Sequence, residues 1–187
     1  MTYFKKIIGE KCYLSPIRME DAEKYTAWLN DFDIEKSLFL TPMMITLEGE
    51  KEMLKKLATG SDPNFAIINK NDDSLLGNCG LKNVDNVNRT AEIGVFIGDK
   101  TMWNKGFAAE AMRLMLDYGF NLLNLQNIML TVYAFNKNGI ACYKKIGFKE
   151  IGRRRGAKCI AGKAHDIVYM DILSTEFESP FVKKFFD

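Results

Sequence analysis

Apolar positions recur along this chain with two periods, and their alternation lays out an order of elements. Residues 11–17, KCYLSPI, read as a short strand, and MEDAEKYTAWL after it puts Ala22, Tyr25 and Leu29 on one helical face. In SLFLTPMMITLEGEKEMLKKLATG a helical pattern is broken by Pro42 and resumes from about Leu47 to Leu57. Past the loop signal GSDPN, FAIINK and SLLGNCGLKNV read as strands joined by the turn NDDS, and TAEIGVFIG as a third strand. KGFAAEAMRLMLDYGFNLL then carries Phe107, Ala111, Leu114, Met115 and Tyr118 at helical spacing. A buried strand NIMLTVYA follows, then a short helix NKNGIACYKKI and two closing strands, GFKEIGRR and AHDIVYMDIL, around a GAKCIAGK turn. The predicted order is β-α-α-β-β-β-α-β-α-β-β. It describes an α+β fold, an α/β/α sandwich around a mixed, mainly antiparallel twisted sheet of about seven strands.

Length and composition narrow the class. At 187 residues and 47% hydrophobic, the chain suits one globular domain, 1–187, with no linker or repeat. Lys and Arg number 26 against 24 Asp and Glu, scattered along the chain, so no broad basic face for nucleic acid is expected. Cys12, Cys79, Cys142 and Cys159 form no CxxC pair, and His165 is the only histidine. No metal site is predicted, and the cysteines read as reduced thiols. The segment MTYFKKIIGEKCYL has no signal-peptide core and no apolar run approaches a membrane span. A cytoplasmic protein without membrane contact is the expectation.

Two clusters carry candidate chemistry. In MWNKGFAAEA, residues 102–111, small side chains stand at a helix entrance, where unpaired backbone amides and the helix dipole favour an anion. Gly106 permits close approach of a phosphate-bearing ligand. The spacing is neither a Walker A loop nor GxGxxG, and small residues there also serve simply to pack a helix on its strand. The second cluster, NKNGIACYKKIGF, begins with Asn136 directly after a strand and places Tyr143 two helical turns later. Alone, Asn136 is an N-cap and Tyr143 a core or rim aromatic.

In combination, AEIGVFIG, WNKGFAAEA, IMLTVYAFN and KNGIACYKKIGF resemble the acetyl-CoA-binding half of the GNAT superfamily of N-acetyltransferases. The RimJ/RimL type is the branch most resembled, through the tryptophan before KGF, the EA after it and the KIGF ending. The similarity is strong from Gly77 to Leu173, an acetyl-CoA-binding core at about 77–173. It is looser over SPIRMEDAEKYTAWLND, within a variable acceptor-side region at about 11–60. Trp103 stands where the superfamily usually has Gln or Arg, a change common in this branch.

The resemblance implies acetyl-CoA as co-substrate, without a metal. It assigns the backbone of Trp103, Asn104, Lys105, Gly106, Phe107 and Ala108 to the pyrophosphate, and that of Phe96, Ile97 and Gly98 to the pantetheine arm. Asn136 would anchor the pantetheine or leaving sulfur, and Tyr143 would be the general acid. Amides near Phe96 and Ile97 would stabilise the oxyanion. Glu92 shares a face with Gly94, apart from the apolar row Ala91, Ile93, Val95 and Ile97, and is the favoured base, with a water chain or an ordinary solvated glutamate as the alternatives. The Arg153–Arg155 run reads as a solvated edge where the sixth strand ends, or as a contact to the adenosine 3′-phosphate. His165 reads as structural or substrate-facing.

The expected acceptor is a primary amine: a protein N-terminus, a polyamine, an amino sugar or another small amine. Asp31, Asp33, Glu35, Glu48, Glu50 and Glu52 suit a cationic acceptor, although SLFLTP lacks the acidic pair of similar spermidine acetyltransferases and nearby lysines dilute the charge. Met43 and Met44 are candidates to line its pocket. The rival reading is a catalytically silent acyl-CoA sensor or assembly module. The tail FESPFVKKFF fits either a homodimer contact or packing on its own domain.

Overall fold

The computed structural model describes residues 2–38 and 43–185. The expected break at Pro42 and most of SLFLTP lie outside the described residues, as does Phe186 of the tail. The elements are strands β1 (Ile7–Ile8) and β2 (Cys12–Pro16), helices α1 (Ala22–Leu29), α2 (Phe32–Glu35) and α3 (Leu47–Thr59), and strands β3 (Asn64–Asn69), β4 (Leu75–Asp85) and β5 (Thr90–Ile97). Helix α4 (Phe107–Asn121), β6 (Asn127–Tyr133), α5 (Lys137–Ile146), β7 (Lys149–Ile160) and β8 (Lys163–Leu173) complete the fold. The α+β class holds, with eight strands in one mixed sheet. The eighth, β1, is two residues long and carries too little pattern to be read from sequence.

The chain divides into two compact units, residues 1–82 with 94–115, and residues 83–93 with 116–187. In the first, β2 pairs antiparallel with β1 and with β3, and β3 with β4. Strand β2 from Cys12 to Ser15 and β3 from Ala66 to Asn69 are buried at every position, as strands covered on both faces are. Helix α1 buries Ala22 and Tyr25, and α3 buries Leu54; these join Tyr13, Ile34, Ala66, Ile68, Leu75 and Phe96 in one core. Thr46 caps α3, its hydroxyl accepting from the Gly49 amide at 3.1 Å.

In the second unit β5 pairs parallel with β6, and the ladder covers only Thr90 to Glu92. Strand β6 pairs antiparallel with β8 along its whole length, and β8 with β7. The expected GAKCIAGK turn is corrected: β7 continues to Ile160, and the reversal is the pair Ala161 and Gly162, with φ of 50° and 74°. Two successive left-handed residues match the twist of a tight hairpin. Gly156, which signalled a turn, instead sits at φ 57° where the β7–β8 register shifts between Arg154 and Lys158. Arg153–Arg155 therefore lie within β7, not at a strand end, and Arg153 pairs with Glu150.

Asp117 anchors the tail. Fully buried in α4, its carboxylate accepts from Ser179 Oγ at 2.6 Å, the amides of Phe181 and Val182 at 2.8 and 2.9 Å, and Asn121 Nδ2 at 2.8 Å. Phe177 packs on Phe120 with ring centroids 5.5 Å apart, and Phe181 and Val182 are buried. The tail thus packs within its own unit. Asp117→Asn turns two acceptor lone pairs toward donors into an amino group facing amides. We expect urea denaturation to show a loss of about 2–4 kcal/mol, with earlier proteolytic cleavage around Phe177 to Val182 than in the wild type.

Candidate active site

In the first unit the end of β5 is built on aromatic contacts. The Phe96 ring lies 6.2 Å from Tyr25 and 5.9 Å from Trp28, and Tyr25 donates its hydroxyl to the Gly77 carbonyl at 3.0 Å. A β-carbon on Gly98 would stand 2.0 Å from the Trp28 indole, and one on Gly77 1.9 Å from the Phe96 carbonyl oxygen. Both glycines are therefore dictated by close approach. The expected apolar row is corrected here: Ala91, Ile93 and Phe96 are buried, whereas Val95 and Ile97 are half-buried. The cause is the ring cluster of α1, which covers the Phe96 face.

Beyond β5 the chain is tied back on itself. Gly98 donates its amide to Leu76 O at 2.8 Å, and the Trp103 indole N–H donates to Ile97 O at 2.9 Å. Trp103 thus acts through its side chain, bracing the loop against the strand it leaves. Asp99 accepts from the Thr101 amide and hydroxyl at 3.0 and 2.6 Å, shaping the turn between them.

Next, Asn104 and Gly106 take φ of 60° and 90°, and α4 begins at Phe107. Two left-handed residues within three positions turn the chain sharply before the helix. Among the described residues, the backbone amides from Asn104 to Ala109 make no well-formed hydrogen bond to a protein acceptor. Trp103 to Gly106 are exposed. Consecutive unpaired amides at the positive end of a 15-residue helix form an anion cradle. Of the predicted loop residues it holds Asn104 to Ala108, whereas the Trp103 amide donates to Lys100 O at 3.2 Å.

The β1–β2 turn is pinned to the same loop, which the sequence pattern did not disclose. Glu110, on the first turn of α4, accepts from the amides of Lys11 and Cys12 at 2.8 and 3.2 Å, and Lys11 Nζ donates to Lys105 O at 2.8 Å. A β-carbon on Gly106 would lie 3.3 Å from that ammonium. No local spacing signals a contact between residues 94 positions apart.

In the second unit Asn136 is the N-cap of α5, its Oδ1 accepting from the Gly139 amide at 2.9 Å. Tyr143 is half-buried on α5, its ring 6.2 Å from Phe148, and burial pushes its phenol up to about 12. Glu92 is half-buried and accepts from Thr131 Oγ1 at 3.2 Å. His165 stands edge-on to Phe135, centroids 4.9 Å apart, and Phe135 stacks on Tyr133.

Five of the six acceptor-side acids separate into two kinds, and the sixth, Glu52, is exposed. Lys100 lies 2.6 Å from Asp31 and 3.4 Å from Asp33, Lys36 is 2.8 Å from Asp33, and Lys51 is 3.2 Å from Glu48. Those three charges are spent on lysines. Glu35 and Glu50 are buried, Glu35 Oε1 without a hydrogen-bond partner among the described residues, and burial pushes Glu50 up to about 7. Met43 and Met44 are exposed.

The family model for the acetyltransferase (GNAT) domain matches residues 11–149. The chain belongs to the GNAT family. This N-acetyltransferase is 30% identical over 171 residues to an uncharacterized N-acetyltransferase, p20, of Bacillus licheniformis, covering 90% of this chain and 96% of that protein. It is 27% identical over 164 residues to the spermidine N(1)-acetyltransferase of Escherichia coli, covering 88% and 87%. Among solved structures it is similar to the spermidine N-acetyltransferase from Vibrio cholerae in complex with CoA and spermine, with a TM-score of 0.81 at 25% identity over 90% of this chain and 98% of that one. It is accordingly an acetyl-CoA-dependent acyltransferase, and the row of unpaired amides fits the anionic part of that co-substrate. Among the described residues no helix is long and apolar enough to cross a membrane.

Trp103→Phe keeps the ring and removes the bond to Ile97 O. Steady-state kinetics should show KM for acetyl-CoA rising about 3–10-fold with kcat nearly unchanged, the equivalent of about 1 kcal/mol for one neutral hydrogen bond.

Proposed function

We propose that the protein transfers the acetyl group of acetyl-CoA directly to a primary amine in a ternary complex. The observation that carries this reading is the run of amides from Asn104 to Ala109, for which no well-placed acceptor is found among the described residues. Diphosphate supplies the charge and the oxygens such a run needs. On this reading the main chain from Phe96 to Gly98 meets the pantetheine arm, and the Asn136 side chain, whose Oδ1 is taken by its own helix, contributes its Nδ2 donor to the coenzyme.

An alkyl ammonium has a pKa near 10, so it must lose a proton before its nitrogen attacks the thioester. Glu92 takes that proton, directly or through water; Thr131 holds one of its oxygens. The new C–N bond forms, amides near Phe96 and Ile97 bear the developing oxyanion, and the C–S bond breaks. Tyr143 then gives its phenolic proton to the departing thiolate, and the phenolate regains one, through solvent, from the positively charged nitrogen of the newly bonded amine, leaving the neutral amide. With its pKa pushed up to about 12 by burial, the phenol stays protonated across the physiological range and is available as a donor.

For the acceptor we favour a small cationic amine of the polyamine kind, within the RimJ/RimL-like branch. Glu35 and Glu50 support this, as buried carboxylates for which no basic partner is found among the described residues. A cation brought to Glu50 would favour its charged form against the burial that now raises its pKa to about 7. Similarity to spermidine acetyltransferases points the same way.

Thiol release from acetyl-CoA, measured against a panel of spermidine, amino sugars and peptides with free N-termini, tests the reading. Spermidine is expected to give the highest kcat/KM. Tyr143→Phe should lower kcat about 10²-fold, the scale of a lost general acid, while leaving the acid limb of the pH profile where it was. An unchanged kcat in that variant would remove Tyr143 from the mechanism. Coenzyme binding without release for any amine would instead favour an acyl-CoA sensor.

A further inference from the structure

We propose that Lys11 is a coenzyme-positioning residue whose ammonium neutralises the diphosphate at the α4 entrance. This rests on the reading of the Asn104–Ala109 amides as the diphosphate cradle. The loop offers its own lysine, Lys105, but that ammonium lies 3.9 Å from the Met102 sulfur. The ammonium beside Gly106 comes from the β1–β2 turn instead. It is 2.8 Å from Lys105 O and 3.3 Å from the place a Gly106 β-carbon would fill, the space that the missing side chain leaves for a ligand.

Several contacts within the first unit fix that lysine. Glu110 binds the Lys11 and Cys12 amides, Lys70 Nζ donates to Gly9 O at 3.0 Å, and the Lys70 amide donates to Lys11 O at 2.9 Å. A β-carbon on Gly9 would stand 2.1 Å from Glu110 Oε1, so a side chain there would displace that carboxylate from the turn. Glu110 is itself an anion near the cradle, but its Oε1 is shared by two amides, which spreads its charge onto the turn. The Lys11 ammonium has three N–H donors, one of them given to Lys105 O. The remaining two suit phosphate oxygens, and a bound diphosphate would see both helix-start amides and a full positive charge.

The test compares CoA with pantetheine, which lacks the diphosphate, by calorimetric titration of wild type, Lys11→Met and Lys11→Arg. Lys11→Met is expected to weaken CoA binding about tenfold, the scale of one charge-assisted hydrogen bond, and to leave pantetheine affinity unchanged. Lys11→Arg should restore most of the loss. In turnover, KM for acetyl-CoA should rise in Lys11→Met with kcat held, and its CoA affinity should fall less steeply with added salt than that of the wild type. Equal CoA binding by Lys11→Met and wild type overturns the role of Lys11 alone. Equal weakening toward CoA and pantetheine overturns it too, because that is the mark of a loosened loop. Failure of the wild type to bind CoA overturns the cradle reading together with this one.

Discussion

The left-handed backbone at Asn104 and Gly106 is the constraint on which the site depends. With φ of 60° and 90° the chain cannot extend α4 backward past Phe107, so the amides that an earlier turn would have satisfied stay unpaired. Helix starts normally find a side-chain cap for some of these donors. Here the residues before Phe107 are turned away by their own backbone, and among the described residues no side chain takes these amides. Exposed donors at the positive end of a helix turn to water when no anion is bound, and an anionic ligand replaces that water with charge-assisted bonds. The braces around the loop keep the amides in position for it: the Trp103 indole on Ile97 O, Asp99 on Thr101, and Lys11 on Lys105 O.

Packing places the rest. Buried aromatics fix the end of β5 within the first unit, where Tyr25, Trp28 and Phe96 meet around two glycines that admit no side chain. Within the second unit, the β5–β6 ladder stops after Glu92 while β6 continues to Tyr133 against β8. Glu92 therefore sits at the last rung of the parallel pairing, held by Thr131 from the neighbouring strand. The Thr131 hydroxyl is one of the contacts that orient this carboxylate.

Much of this was legible in the sequence, for reasons that differ residue by residue. Helical spacing of Phe107, Ala111, Leu114 and Met115 identified α4 because that helix is buried along one face and more. The Asn136 cap was legible because an asparagine after a strand has a local partner three residues on. Gly156 misled, since a glycine with positive φ marks a bulge as readily as a turn and only the register of β8 distinguishes them. Phe96 defied simple alternation because α1 covers the second face of its strand. Lys11 and Glu110 were hidden for a deeper reason: their roles arise from contacts between segments nearly a hundred residues apart, which no local pattern encodes. The six acids of the acceptor side looked alike in sequence, and only their lysine partners and burial set Glu35 and Glu50 apart.

The most direct measurement of the central claim is amide hydrogen exchange, read residue by residue, with and without acetyl-CoA. Amides that bind diphosphate oxygens exchange slowly once the ligand is present and fast without it. Selective protection of Asn104 to Ala109 on addition of acetyl-CoA is the expected result, with little change there when pantetheine replaces it. Saturating acetyl-CoA that leaves those amides exchanging as fast as before would contradict the claim.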